Sequence, residues 1–193
     1  MKVYQVGLAK EYPFLQGGTL DCIVTDYPYD SEMPENWALP ALIVVPGGGY
    51  AMVSKREAFP VATAFMAQGF QTFVFDYLCA PQGARYPEQL LEVAAAVDYV
   101  KKHAKELHVN AEEVFLVGFS AGGHLVGNLA VEHQDVARKA GVALDCKPTA
   151  VGLSYPVISK IHGHQGSYQN LLNGYTEEAE RELLAQRPKK KTM

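Results

Sequence analysis

Apolar residues along this chain form short unbroken runs separated by longer amphipathic stretches. The runs at residues 41–45, 70–77, 114–117 and 150–155 have the length of strands, and three of them stop at proline or glycine. Such runs are typical of strands that are buried on both faces of a parallel sheet. A looser alternation of apolar and polar residues over 19–25 predicts an edge strand ahead of them.

The amphipathic stretches predict helices, at residues 54–68, 87–107, 121–131, 168–172 and 176–186. Alternation of strands with helices predicts right-handed crossovers and one α/β domain over residues 1–193, with a mostly parallel sheet covered on both faces. The helical segment at about 157–187 is expected to act as a lid. Since ligands of such sheets bind at the carboxyl ends of the strands, the loops after the apolar runs are the candidate site.

The third apolar run ends in the sequence GFSAG at residues 118–122, which matches the pattern G-x-S-x-G. A strand, a sharp turn and a helix of small residues are the setting in which this pattern carries a nucleophilic serine above the sheet. The turn also lies at a helix N-terminus, where backbone N–H groups favour negative charge. The sequence therefore predicts Ser120 as a nucleophile. The alternative is that Ser120 only caps the helix.

The first apolar run ends in PGGGY at residues 46–50. Three glycines can direct their N–H groups to one point, as a tetrahedral acyl intermediate requires at its oxyanion. A phosphate-binding loop is one alternative, but neither G-x-G-x-x-G nor G-x-x-x-x-G-K-[ST] fits here. A plain flexible turn is the other.

These segments, with FDY at 75–77, AP at 80–81, YP at 86–87 and GFSAGGHL at 118–125, resemble the α/β-hydrolase fold. Within that fold they resemble hormone-sensitive-lipase-like esterases and small bacterial acetyl-esterase or xylan-esterase-like enzymes. The resemblance implies a three-layer fold and a serine esterase of small acyl esters, such as O-acetylated sugars, without cofactor or metal. It implies Ser120 as the nucleophile and the N–H groups of Gly48, Gly49 and Ala121 as the oxyanion hole. Two positions depart from the family, with Pro46 in place of a histidine and Leu78 in place of an arginine.

The acid and the base of a catalytic triad are not evident. The fold orders them after the serine, first Asp or Glu and then His. His124 and His133 fall on the helix behind the serine and are expected to have packing or surface roles, and Asp145 precedes the last strand, at the wrong end of the sheet. The glutamates at 177–182 follow the last histidine. We therefore expect the last two strands of the fold, with the triad Asp and His, to lie beyond residue 193.

His162 and His164 follow the last apolar run on the correct side of the sheet. One of them could act as a lone base, or both could bind a metal ion. Histidines in a loop are more often simply exposed. With no strand beyond it, the run at 150–155 would form an open sheet edge, through which two copies could associate.

Composition and charge limit the kinds of partner and the cellular setting to be expected. The 193 residues carry 21 acidic and 17 basic side chains, a net charge of −4, without a basic stripe, which argues against nucleic acid. No apolar stretch is long enough to span a membrane, and no signal peptide is evident. Three scattered cysteines indicate a reducing, cytoplasmic setting. Three functions stay open: a serine ester hydrolase, a non-catalytic remnant of one that binds a ligand or a second copy, and a nucleotide-binding protein.

Overall fold

A six-stranded sheet forms the centre of the fold. The computed structural model describes residues 1–26, 34, 36–159, 163–176 and 178. The strands lie in the order β1-β2-β4-β3-β5-β6. Their bounds are β1 Lys2–Gly7, β2 Thr19–Val24, β3 Leu39–Val45, β4 Gln71–Asp76, β5 Val109–Phe119 and β6 Ala150–Ser154.

The sheet is parallel where the sequence predicted it to be. Strands β4, β3, β5 and β6 pair in parallel, whereas β1 and β2 are antiparallel to their neighbours. The carboxyl ends of β3 and β5 are therefore adjacent, with Val45 opposite Gly118. This register places the glycine segment and the serine segment side by side at one edge of the sheet.

The prediction that residues 19–25 form an edge strand was wrong. Strand β2 pairs with β1 on one side and with β4 on the other, so β1 is the edge. Most side chains of β1 are exposed to solvent. A strand of this kind lacks the apolar run by which the buried strands can be detected.

Four α-helices are present among the described residues: α1 Phe59–Met66, α2 Glu88–Lys102, α3 Ala121–Ala140 and α4 Gln165–Leu172. Helix α3 continues well beyond the predicted end at residue 131, because its polar second half still buries Glu132 and Val136. It ends before Gly141, which has a φ of 69°. Helix α2 is shorter than predicted. The helix predicted over 176–186 falls on residues of which the structure describes only 176 and 178.

Helices cover both faces of the sheet, as predicted. On one face, a small apolar cluster contains Ala62 of α1 and Ala58, the residue before that helix. They pack with Ile23, Val44 and Val74 of the sheet. On the other face, α2 and α3 contribute to the main core, in which Ile43, Phe73 and Leu116 are fully buried. The described residues thus form three layers, helix on sheet on helix.

Strand β6 forms the second edge of the sheet, as predicted, but it is not the buried strand that its apolar sequence suggested. Its side chains are exposed or half-buried, and Leu153 is 41% exposed. Within the described residues β6 pairs only with β5. In that part of the chain no strand pairs with the other side of its backbone.

Candidate active site

Ser120 lies in a sharp turn between β5 and α3. Its φ is 50° and its ψ is −115°, a backbone conformation that side-chain-bearing residues rarely adopt. A Cβ on Gly118 would lie 2.4 Å from the carbonyl oxygen of Gly122, and one on Gly122 would lie 2.1 Å from that of Val45. Both glycines of the G-x-S-x-G pattern are therefore required by close backbone approach.

The backbone of Ser120 is fixed on three sides. Its N–H donates to the Ser154 carbonyl at 3.0 Å, and its carbonyl accepts from the N–H groups of His124 and Val157. Its side chain makes no capping hydrogen bond to α3. The alternative of a simple helix cap therefore has no support in this geometry.

The glycine loop at residues 46–50 is held by its carbonyl groups. The Pro46 carbonyl accepts from the buried Tyr77 hydroxyl at 2.9 Å, and the Gly47 carbonyl accepts from the Ser54 N–H at 2.9 Å. The Gly49 carbonyl accepts from the Asn170 side chain of α4 at 2.9 Å. Bonds of this kind fix the direction in which the loop's N–H groups point.

The N–H groups of Gly48, Gly49 and Ala121 donate to no protein acceptor in the part of the chain that the structure describes. Gly48 and Gly49 have φ values of 131° and 65°, and a Cβ on Gly48 would lie 1.9 Å from the Met52 carbonyl oxygen. Only glycine fits that position. Three donors without partners, beside a serine, are what an oxyanion hole would need.

The glycine loop lies directly against the serine turn. A Cβ on Gly47 would lie 3.0 Å from the Ser120 Cβ. Ser120, Gly48 and Gly49 line one cavity of about 670 Å³. Ala121 follows Ser120 in the chain and is fully buried, so the structure brings three of the four predicted residues into one cavity and the fourth next to the serine.

His164 also lines this cavity, yet its ring is bound in a way that does not suit a base for Ser120. Its Nδ1 accepts the N–H of Ser167 at 3.2 Å and lies 3.1 Å from the Ser167 hydroxyl. A backbone N–H can only donate, so in the neutral ring Nδ1 is unprotonated and Nε2 carries the proton. A base that takes the serine proton through Nε2 needs the opposite tautomer.

The remaining candidate groups do not reach the cavity. His124 is buried, with its Nδ1 2.7 Å from the Tyr50 hydroxyl, and His133 contacts the Ala130 carbonyl of its own helix. Asp145 pairs with Lys101 at 2.7 Å. His162 lies outside the described residues, and among those described no three side chains are grouped as a metal ion would require.

Several cavity residues were not predicted from the sequence, among them Glu57 and Tyr155. The fold orders the triad acid after the serine, whereas Glu57 precedes Ser120 by more than sixty positions. Tyr155 follows β6 and has a φ of 36°. No local pattern pairs these two residues, because they meet only in the folded chain.

Burial keeps one thiol and two tyrosine hydroxyls near the site protonated. It raises the pKa of the Cys79 thiol to about 12, and it raises the pKa of the Tyr50 and Tyr77 hydroxyls well above their ordinary value. These groups stay protonated near neutral pH. Ser120 itself is half-buried and lines the cavity, together with the hydroxyl-bearing side chains of Ser54, Tyr155 and Ser167.

In the described part of the chain no helix combines the length and the apolar character needed to cross a bilayer.

Known proteins with similar chains include enzymes that act on esters. The chain is 32% identical over 136 residues to endo-1,4-beta-xylanase B of Butyrivibrio fibrisolvens and 33% identical over 128 residues to an acetylxylan esterase of Xylanibacter ruminicola. These matches cover 68% and 66% of this chain, but only 21% and 24% of the two relatives. The chain therefore spans less than a quarter of the length of these two curated relatives.

A solved structure extends the comparison over most of the fold. A carboxylesterase from Lactobacillus plantarum superposes with a TM-score of 0.75 at 27% identity, covering 95% of this chain and 63% of its own. Residues 29–145, more than half of the chain, match the family described as BD-FAE. The three-layer fold, the serine turn and these matches agree, and we conclude that the chain belongs to the BD-FAE family and has the α/β-hydrolase fold.

Proposed function

We propose that this protein hydrolyses small carboxylic esters through an acyl-enzyme on Ser120. The observation that carries the proposal is the positive φ of Ser120 at the end of β5, in one cavity with the glycine loop. The names of the relatives, among them an acetylxylan esterase and carboxylesterases, favour the same reaction. For this reason we take O-acetylated sugars as the preferred substrate class.

In the proposed reaction the Ser120 oxygen attacks the acyl carbon and loses its proton. The N–H groups of Gly48, Gly49 and Ala121 stabilise the negative oxygen of the tetrahedral intermediate. The intermediate collapses, the alcohol leaves with a proton, and the acyl group remains on Ser120. Water then attacks the same carbon, releases the acid and restores the serine hydroxyl.

The proton of Ser120 has no evident acceptor among the described residues, since the Nε2 of His164 is a donor in this arrangement. An oxyanion hole and substrate binding without a complete triad still retain about 10³–10⁴-fold catalysis over water. We therefore expect slow turnover from this chain.

We propose that residues 163–176, which include α4, belong to a lid over the cavity. Asn170 of α4 donates to the Gly49 carbonyl in the glycine loop, and Ser167 of the same helix lines the cavity. The three cysteines are unbridged and buried, which supports a reducing, cytoplasmic location.

Hydrolysis of p-nitrophenyl acetate by the whole chain and by Ser120→Ala tests this function. We expect turnover above the buffer rate, loss of most of it in the variant, and one acetyl group on Ser120 in the intact mass of the quenched wild-type protein. Equal rates for both proteins and no acetyl adduct would support a non-catalytic remnant instead.

A further inference from the structure

One carboxylate joins three separate segments at the cavity. Glu57 lies in a single helical turn, Lys55–Glu57, after the glycine loop. Its Oε2 accepts the Gly47 N–H at 2.8 Å, and its Oε1 accepts the Tyr155 hydroxyl at 2.9 Å. The Glu57 side chain is only 12% exposed, and its bond to the Gly47 N–H is partly buried, whereas the bond to Tyr155 lies at the surface.

Gly47 is the residue between the serine turn and the two proposed donors of the loop. A Cβ at this position would lie 2.9 Å from the Glu57 Oε2 and 3.0 Å from the Ser120 Cβ. The carboxylate therefore holds the loop at its point of contact with the nucleophile. Because Gly48 and Gly49 follow directly in the chain, the position of the Gly47 backbone determines where their N–H groups lie.

Tyr155 anchors the other side of the carboxylate. Its ring lies 5.9 Å from that of Phe119, the residue before the serine. Partial desolvation, and then the Glu57 carboxylate, raise the pKa of Tyr155, so its hydroxyl stays protonated and donates. The Glu57–Tyr155 bond thus links the glycine loop to the chain that leaves β6.

We infer that Glu57 is a positioning residue for the oxyanion hole, which it holds in register with Ser120 through Gly47 and braces against Tyr155. The inference rests on the proposed function of Ser120 and the glycine loop. Glu57 acts through the backbone, so its geometry as a hydrogen-bond acceptor matters, and its negative charge does not.

Two substitutions separate position from charge. Glu57→Gln keeps an oxygen for the Gly47 N–H and an NH₂ group that can donate to the Tyr155 oxygen, whereas Glu57→Ala loses both bonds. We expect Glu57→Ala to lower kcat for p-nitrophenyl acetate about tenfold to hundredfold, with KM changed less than about threefold. We expect Glu57→Gln to stay within about threefold of the wild type.

Glu112 provides the matched control, since it is exposed and lies in the first half of β5, away from the cavity. Glu112→Ala should leave kcat unchanged. Wild-type kcat in Glu57→Ala would overturn the inference. A kcat in Glu57→Gln as low as in Glu57→Ala would also overturn it, because the charge would then be the essential property.

A second measurement does not depend on turnover. Hydrogen exchange of the Gly47 amide should accelerate at least about tenfold in Glu57→Ala and stay slow in Glu57→Gln and Glu112→Ala. If Ser120→Ala turns over like the wild type, the proposed function fails, and amide exchange still decides the role of Glu57. If turnover requires Ser120 but the Gly47 amide exchanges equally in all variants, only the positioning role fails.

Discussion

Positive φ angles mark the residues on which the proposed chemistry depends. Ser120, Gly48 and Gly49 all adopt them, and the turn at each is fixed by hydrogen bonds from neighbouring elements. Glycine adopts them without steric strain, whereas for Ser120 the conformation costs free energy and persists only where the surrounding structure imposes it. At the scale of single residues, the proposed site therefore depends on backbone conformation, which single substitutions can test.

Gly48→Ala should destabilise the fold more than a positive φ alone explains. Its Cβ would lie 1.9 Å from the Met52 carbonyl oxygen, so the loop has to shift. Gly69 is the matched control, with a φ of 91° and no atom within 4 Å of the Cβ position. We expect a loss of about 1–2 kcal/mol in the free energy of unfolding for Gly69→Ala and about 2 kcal/mol more for Gly48→Ala. Equal urea midpoints for the two variants would contradict the clash.

Glu92 makes stability depend on pH. It is fully buried on α2, and burial raises its pKa to about 8, although its Oε2 accepts the Leu78 N–H at 2.9 Å. The folded chain therefore binds this proton more tightly than the unfolded chain, and stability falls as pH rises from about 4.5 to about 8.

Glu92→Gln keeps the acceptor for Leu78 and cannot ionise. The difference in the free energy of unfolding between this variant and the wild type should grow in favour of the variant across this pH range. We expect it to reach on the order of a few kcal/mol. Urea unfolding at pH 5 and pH 8 measures the difference. Parallel pH profiles of the two proteins would contradict this, because they would show that the pKa of Glu92 is the same in the folded and the unfolded chain.

The sequence alone was enough to predict the site residues that belong to a local backbone pattern. Ser120 and Gly48 belong to short patterns that follow buried strands, and a strand, a turn and their glycines are all contiguous in the chain. Glu57 and Tyr155 could not be found in this way. Their contact depends on how a turn after β3 meets the end of β6, which no local pattern encodes.

At the scale of elements, helices and strands were predicted well where a periodic apolar pattern accompanies burial. Strands β3 and β4 were found because they are buried on both faces, and β5 because its second half alternates between buried and half-buried residues, whereas the mostly exposed β1 was missed. Helix α3 extends beyond its predicted end because the helix continues through a buried polar residue, Glu132. Glu132 accepts from the Tyr86 hydroxyl and from Lys139, a pairing that sequence alone does not show.

Helix α4 supports the glycine loop through one side chain, and removing it should slow the reaction. Asn170→Ala loses the bond to the Gly49 carbonyl, which is worth about 1 kcal/mol. We expect kcat/KM for p-nitrophenyl acetate to fall up to about fivefold. Gln169→Ala, at an exposed neighbouring position, is the control and should match the wild type. A loss of the same size in both variants would point to a general effect on α4.

At the scale of the whole molecule, the sheet has the candidate site at the carboxyl ends of its strands and, within the described part of the chain, an unpaired edge at β6. The backbone of β6 is unpaired on one side among the described residues, and Leu153 is 41% exposed. Open edges with apolar side chains favour pairing between chains. We propose that this edge allows a second copy of the chain to associate.

Sedimentation velocity across a range of concentrations tests this association. We expect a dimer that weakens in Leu153→Lys, because a lysine on an edge strand opposes pairing. Val131→Lys is the control, since Val131 is 77% exposed on α3 but not on the edge strand. A monomer at every concentration, or equal weakening by both lysines, would remove β6 as the interface.

The proposed reaction requires the Ser120 oxygen to face the N–H groups of Gly48, Gly49 and Ala121. A crystal structure of the chain after reaction with a phosphonate ester probe measures this directly. We predict phosphorus bonded to the Ser120 oxygen, with a phosphonyl oxygen about 2.7–3.1 Å from those N–H nitrogens. A phosphonyl oxygen turned to solvent, or a probe attached elsewhere on the chain, would contradict it.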